Sequence, residues 1–319
     1  MDFRTPIKIE KSGFTLSPLR SVVLLGSCFA DNIAAKMQAT LWEGINPCGA
    51  LYNPFSIAKA LEMAAFSRYP LQDFDSTLFQ DGEFIHSWLF DSKMSGRRVD
   101  ECHRKFNAMR ESLLSCLERA EVLFITFGTS YCYYLPERGD DYVVANCHKC
   151  ASSRFIRHRA SVKQIIQVWT SLVNKIKLRF PALRIIFTVS PVRHLKDGLV
   201  ENSRSKAVLQ LAVEELCSDF GCCSYFPAYE IMNDDLRDYR FYASDLAHPS
   251  GQGVEYIWEI FRHTYLDADG ESILKEGEKI VKLRNHRPLL ESPEATASRL
   301  AHAELLHKNY LTKYYGKDK

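Results

Sequence analysis

The sequence predicts an α/β fold: a three-layer α/β/α sandwich around a central parallel sheet, with a helical C-terminal extension. Three observations carry this expectation. The apolar runs Val22-Val23-Leu24-Leu25, Val122–Phe127 and Ile185–Val189 do not alternate with polar residues, as strands buried on both faces do not. Amphipathic helical stretches separate these runs, the pattern of crossover connections. Each run then ends in small polar residues: Gly26-Ser27, Gly128-Thr129-Ser130 and Ser190-Pro191-Val192-Arg193-His194. Ligands of open parallel sheets bind outside the carboxyl ends of the strands, so these segments are expected to converge.

The elements follow in order. Ser21–Leu25 is the first strand and Asp31–Leu41 the first helix. A polar loop through Asn46-Pro47-Cys48-Gly49 leads to Asn53, which has an N-cap side chain. Pro54 suits the first helical position, opening a helix through Ala65. Residues 77–95 hold short aromatic runs turned at Asp81-Gly82, a hairpin signal. Asp100–Arg119 is an amphipathic helix, Val122–Phe127 the second buried strand and Tyr142–Ala145 a short further strand. Helix Ser161–Arg179, strand Ile185–Val189, helix Ser203–Asp219 and strand Cys223–Phe226 come next, and Glu255–Tyr265 opens the last core helix. From about Asp267 the chain is rich in Lys, Glu, Arg and His, with a helical run over Glu294–His307 and no strand signal. The expected division is an α/β domain over 1–266 and a helical extension over 267–319.

Composition narrows the function classes. The 319 residues are 46% hydrophobic and 25% charged, enough for a large core, and the formal net charge is +2. Neither a nucleic-acid face nor an acidic tail is implied by that charge. No apolar run approaches the roughly 18 residues of a membrane span. Met1-Asp2-Phe3-Arg4-Thr5-Pro6 has no apolar leader core. Ten cysteines without such a leader suit reduced thiols, so a cytoplasmic location is expected. Cys147-His148-Lys149-Cys150 has Cys-x-x-Cys spacing, but Cys222-Cys223 are adjacent and give no matching second pair. Gly26 has no phosphate-loop partners. Neither a metal nor an organic cofactor is expected, and the sequence does not fix the oligomeric state.

Two segments carry chemistry. Ser27, at the top of a buried strand and just before a helix, has the placement of a nucleophile beside N–H donors. Taken alone, the segment reads more readily as a helix N-cap, with Gly26 easing the turn. Asp245-Leu246-Ala247-His248-Pro249 sets a carboxylate three residues from an imidazole in a loop, so Asp245 can fix the His248 tautomer and leave its other nitrogen to take a proton. Cys28, next to Phe29 at the strand-to-helix turn, reads as a small buried hydrophobe more readily than as a thiol nucleophile. Arg193 and His194 are candidate contacts to an acidic or sugar substrate, with His148 as a weaker one. His86 and Ser87 lie in the aromatic hairpin, and Trp88, Tyr131, Tyr133 and Tyr134 serve equally as stacking platforms or as core.

With both motifs placed, the chain resembles the GSCFA family, bacterial proteins related to the SGNH (GDSL-like) hydrolases. Gly26-Ser27-Cys28-Phe29-Ala30 is the motif that carries the resemblance. It extends through Asn46–Phe55, Val144–Lys149, Thr188–His194, Tyr229–Met232 and Asp238–Tyr242, and covers about Lys8 to Tyr265. The resemblance implies an SGNH-hydrolase/flavodoxin-like sheet and a triad of Ser27, His248 and Asp245. It implies oxyanion donors at the N–H groups of Ser27 and Gly49. SGNH enzymes carry Gly-x-Asn-Asp in their third block, where this chain has Gly128-Thr129-Ser130-Tyr131. Their amide donor is therefore missing from its usual place, and Asn146, or more weakly Ser130, is the expected substitute. Loss of one such donor typically costs about a hundred- to a thousandfold in rate.

The function expected is a serine esterase on a small-molecule O-acyl ester, of which O-acetyl on a carbohydrate is the analogy from related folds. An acyltransferase using the same triad, and a ligand-binding protein without catalysis on the same fold, are the alternatives.

Overall fold

Alternate residues of each central strand belong to two different cores, and this is what layers the molecule. In the computed structural model, which describes residues 5–286, 288, 290 and 292–316, β1 (Ser21–Gly26) is buried along its whole length. Val22 and Leu24 point into one cluster, with Phe29, Ile33, Trp258 and Phe261. Val23 and Leu25 point into the other, with Ile57, Phe106, Trp169 and Leu209. A strand buried on both faces has no polar side, which is why its sequence does not alternate. Each fully buried large apolar side chain contributes about 1.5–3 kcal/mol before chain entropy is counted against it.

Along the chain, α1 (Cys28–Gln38) follows β1, then β2 (Gly44–Ile45) and α2 (Pro54–Leu61), which continues into a π-helical turn over Glu62–Phe66. Next come α3 (Pro70–Asp75), the hairpin β3 (Leu78–Asp81) and β4 (Phe84–Ser87), α4 (Val99–Arg119) and β5 (Ala120–Phe127). β6 (Tyr131–Tyr134), β7 (Val143–Val144) and β8 (Ile156–Arg159) make a small antiparallel sheet, with β6 in the centre. The core resumes with α5 (Val162–Arg179), β9 (Arg184–Val189), α6 (Leu199–Asp219), β10 (Cys223–Tyr225), α7 (Ala228–Glu230) and α8 (Gly251–Tyr265). Two helices close the chain, α9 (Ala268–Asn285) and α10 (Pro293–Tyr315).

The central sheet has the order β10-β9-β5-β1-β2 and every pairing in it is parallel. Read from β2, this is the 2-1-3-4-5 order of a doubly wound flavodoxin-like sheet. The strand order reverses between β1 and β5, so the crevice beyond their carboxyl ends is the place where such a fold binds ligands. Ser27 follows β1 and Gly128-Thr129-Ser130 follows β5, which puts both segments at that crevice.

Several boundaries differ from expectation. The first helix begins at Cys28 instead of Asp31, because Ser27 is itself the N-cap and accepts from Phe29 N–H at 3.3 Å. α8 begins four residues before Glu255, since Ser250 caps it through Gly253 N–H at 3.2 Å. The hairpin turns at Gly82-Glu83, with Gly82 at φ +58°. β2, β6 and β8 were not expected as strands. β2 is two residues long, and β6 and β8 draw their pairing from each other across more than twenty intervening residues. α9 packs closely on the core: a Cβ at Gly277 would lie 2.1 Å from the Thr40 carbonyl oxygen. Met1–Arg4, read above for a leader, and residues 287, 289, 291 and 317–319 of the expected extension lie outside the described residues.

Candidate functional site

A cavity of about 410 Å³ opens at the β1–β5 crevice. Ser27 lies at its floor and is only 1% exposed, so a substrate atom has to reach down to it. The turn that puts it there depends on Gly26, at φ +139°, where a Cβ would come within 2.1 Å of the Thr126 carbonyl oxygen. That approach is what lets β1 and β5 stay paired up to the residue before Ser27. Gly26 O also accepts from Leu51 N–H at 2.8 Å, and Tyr52 O accepts from Gly128 and Thr129 N–H at 2.8 and 2.9 Å. The loop after β2 is thereby tied to the ends of both strands.

The Asp245–His248 loop forms the opposite lip. Asp245 Oδ2 lies 2.6 Å from His248 Nδ1, and its Oδ1 accepts the N–H groups of Ala247 and His248 at 3.0 Å each. This closed turn holds Leu246 at φ +55°. Those two backbone N–H groups, and then the imidazole, hold the Asp245 carboxyl down at about 2. As a carboxylate it only accepts, so Nδ1 is the ring nitrogen that donates to it, and in the neutral imidazole Nε2 then holds the lone pair a base needs. Ser27, Asp245 and His248 all line the one cavity. In this resting arrangement the Ser27 hydroxyl caps α1.

The expected oxyanion donors are not assembled as the resemblance implies. Ser27 N–H donates to Thr126 O at 3.3 Å, completing the β1–β5 ladder. Gly49, at φ +71°, is buried with the Asp91 carboxylate 2.5 Å from where its Cβ would be, and it does not line the cavity. Ser130 is fully buried and turned into the protein: its N–H and hydroxyl both bond Ser205 of α6, at 2.8 and 3.0 Å. Asn146 follows Ala145, which lines the cavity, but does not line it itself; its Oδ1 accepts from His148 N–H at 2.9 Å. A first-turn N–H of α1, that of Cys28, follows the nucleophile directly and has no acceptor within the helix.

Of the expected substrate contacts, Arg193 and His194 line the cavity and His148 does not. His148 sits under the hairpin, bonded through Nε2 to Ser87 O at 2.9 Å and packed on Phe79, His86 and Trp88. Burial pushes its pKa down. Tyr131 and Tyr133 line the cavity, whereas Trp88 and Tyr134 are core. The Cys28 thiol reaches the cavity wall, but burial and then the Asp31 carboxylate push its pKa up, away from a thiolate.

One residue gave no sequence signal, and a second holds a position the sequence reading did not foresee. Lys206, in the middle of α6, is 1% exposed and donates to Gly128 O at 2.6 Å and Ser190 O at 2.7 Å. It clamps the carboxyl ends of β5 and β9, and burial lowers its pKa to about 7. His194 was expected only as a substrate contact. Among the described residues its buried Nε2 has no hydrogen-bond partner, and a Cβ at Gly128 would be 3.4 Å from both that nitrogen and the Ser27 Cβ. Burial first, then Lys206, Arg157 and His248, push His194 down to about 3, so it is neutral at pH 7.

The sequence matches the GSCFA family over residues 21–261. No curated protein matches it. Among solved structures, the chain is similar to a candidate GDSL-like lipase from Parabacteroides merdae, with TM-score 0.36 and 12% identity over 82% of this chain and 98% of that one. It is also similar to a carbohydrate esterase family 3 protein from Talaromyces cellulolyticus, with TM-score 0.34 and 9% identity over 82% of this chain and 99% of that one. Among the described residues no helix is long and apolar enough to cross a membrane.

Proposed function

This chain belongs to the GSCFA family, and on that premise we propose that it is a serine esterase acting on an O-acyl ester of a small molecule. The observation that carries the proposal is the Asp245–His248 pair, closed at 2.6 Å on the rim of the cavity that has Ser27 at its floor. In the proposed cycle Ser27 Oγ leaves its capping bond and loses its proton to His248 Nε2 as it attacks the ester carbonyl. Asp245 keeps the imidazole in the tautomer that can accept and then stabilises the imidazolium. His248 returns the proton to the departing alcohol, and an acyl group remains on Ser27. Water, deprotonated by His248, then attacks the acyl-enzyme and releases the acid.

The oxyanion is assigned to the start of α1, where Cys28 N–H lies at the positive end of the helix dipole. The Phe29 N–H, freed when Ser27 turns to attack, is the second donor. Departure of the third block from Gly-x-Asn-Asp thus moves the donors from a side-chain amide to a helix terminus. An O-acetylated carbohydrate is the substrate the reading extends to, by analogy only.

The test is hydrolysis of 4-nitrophenyl acetate and butyrate by wild type and Ser27→Ala. Turnover that falls at least about a thousandfold in Ser27→Ala is the expected result. Equal rates in the two proteins would refute it. The capping bond of Ser27 also favours a second reading, a binding protein in which Ser27 is only structural; unchanged binding of substrate analogues with no wild-type turnover is its signature.

A further inference from the structure

We propose that the ester this cavity accepts carries an anionic group, a carboxylate, phosphate or sulfate, held by Arg193 and Lys196. This rests on the serine-esterase reading for the word ester, but the anion site itself stands on separate observations. The argument is an inventory of charge. Arg157, Arg193 and Lys196 line the cavity, against a single carboxylate, Asp245, which is committed to His248. Arg157 is neutralised from behind by Asp197, with Nη2 to Oδ2 at 2.6 Å. Farther out, Arg159 and Arg204 share Glu201.

Arg193 and Lys196 have no such counter-charge. Among the described residues neither lies within 4.0 Å of a carboxylate oxygen. Arg193 is held by neutral groups, through Nη2 to Asn233 Oδ1 at 2.6 Å and through Nε to the Tyr242 hydroxyl at 3.3 Å. Those bonds occupy one edge of the guanidinium, and among the described residues Nη1 has no hydrogen-bond partner. Lys196 bonds the Tyr133 hydroxyl. A half-buried guanidinium oriented by two side chains and given no anion is a costly arrangement for stability alone, and its planar fork suits a carboxylate or phosphate.

The imbalance is local, since the whole chain carries only +2. The buried surroundings feel it as well: besides burial, Arg193 contributes to lowering Lys206. Position matters too. The backbone N–H of Arg193 donates to Ala247 O at 3.0 Å, which ties its main chain to the loop that carries His248, while Asn233 and Tyr242 orient the guanidinium. An anion seated there shares the cavity with His248, and Tyr131 and Tyr133 line it as well, offering ring surface to a carbon skeleton.

The test measures binding by calorimetry on full-length Ser27→Ala, with 4-acetoxybenzoate as the anionic probe and its methyl ester as the neutral one. The anion is expected to bind at least about tenfold more tightly at low salt, with the preference shrinking as salt is raised to about 0.5 M. It should fall to about twofold or less in Arg193→Gln and be cut severalfold in Lys196→Gln, an exposed site whose change leaves folding intact. Equal affinity of the two probes, no anion binding up to about 10 mM, or a preference untouched in both variants overturns the proposal. Wild-type turnover of the same pair separates the two readings. An Arg193-dependent preference with neither ester hydrolysed leaves the anion site standing without the esterase. Hydrolysis of both esters at equal rates, with no binding preference, does the reverse.

Discussion

The two lips of the cavity are built in different ways. On one, Asp245 and His248 are three residues apart, and the bonds that shape the turn and orient the imidazole on Asp245 are made inside it. On the other, Ser27, Gly128 and the loop after β2 come from three separate segments joined by Gly26 O, Tyr52 O and the Lys206 clamp. The proton-handling lip is therefore a local device, and the lip that must receive an oxyanion is a product of tertiary packing. Changes in the first should cost activity and leave the fold alone. Changes in the second should cost stability first.

The largest expected effect breaks the local lip. His248→Ala should lower kcat/KM for 4-nitrophenyl acetate by about 10⁴-fold, and Asp245→Asn by about 10³–10⁴-fold through the wrong tautomer, both with unchanged thermal midpoints. Loss of fold in either would erase the contrast between the lips. Next is Gly26→Ala, which forces a Cβ to 2.1 Å from Thr126 O at φ +139° and is expected to cost about 3–4 kcal/mol in denaturant unfolding.

A smaller effect sharpens the comparison. Ser130→Ala removes the hydroxyl bond to Ser205 and should cost about 1–2 kcal/mol in chemical denaturation, with esterase activity within about threefold of wild type. A hundredfold rate loss would return Ser130 to the oxyanion site. The smallest is a slope. Lys206 titrates near 7 in the folded protein against an ordinary 10.5, so between those values the unfolded chain binds more protons and stability rises with pH. The unfolding free energy of wild type relative to Lys206→Met should climb over pH 7 to 10.5 by up to about 1.4 kcal/mol per unit and be flat below. Parallel profiles would show that burial does not shift this lysine.

What was legible in the sequence follows the same division. The apolar runs gave the central sheet because strands buried on both faces need no knowledge of their neighbours to be recognised. Asn53 acts as the N-cap that its side-chain chemistry predicts. The Asp245–His248 contact was legible because its spacing enforces it. Gly49 and Ser130 were read from the family pattern, but what surrounds them is decided by Asp91 and Ser205, which lie 42 and 75 residues away in sequence. Lys206 falls on a helical face like any other lysine, and only the packing of α6 on the sheet reveals that its ammonium is buried. The β6–β8 pairing was missed for the same reason, since Tyr131–Tyr134 finds its partner only after a long excursion.

The central claim is that Ser27 is activated by His248. Intact mass and peptide mapping after fluorophosphonate treatment of wild type and His248→Ala test it most directly. The account predicts one adduct in wild type, on Ser27, and none in His248→Ala. An adduct that persists in His248→Ala, or a wild-type protein that takes up no label, would contradict it.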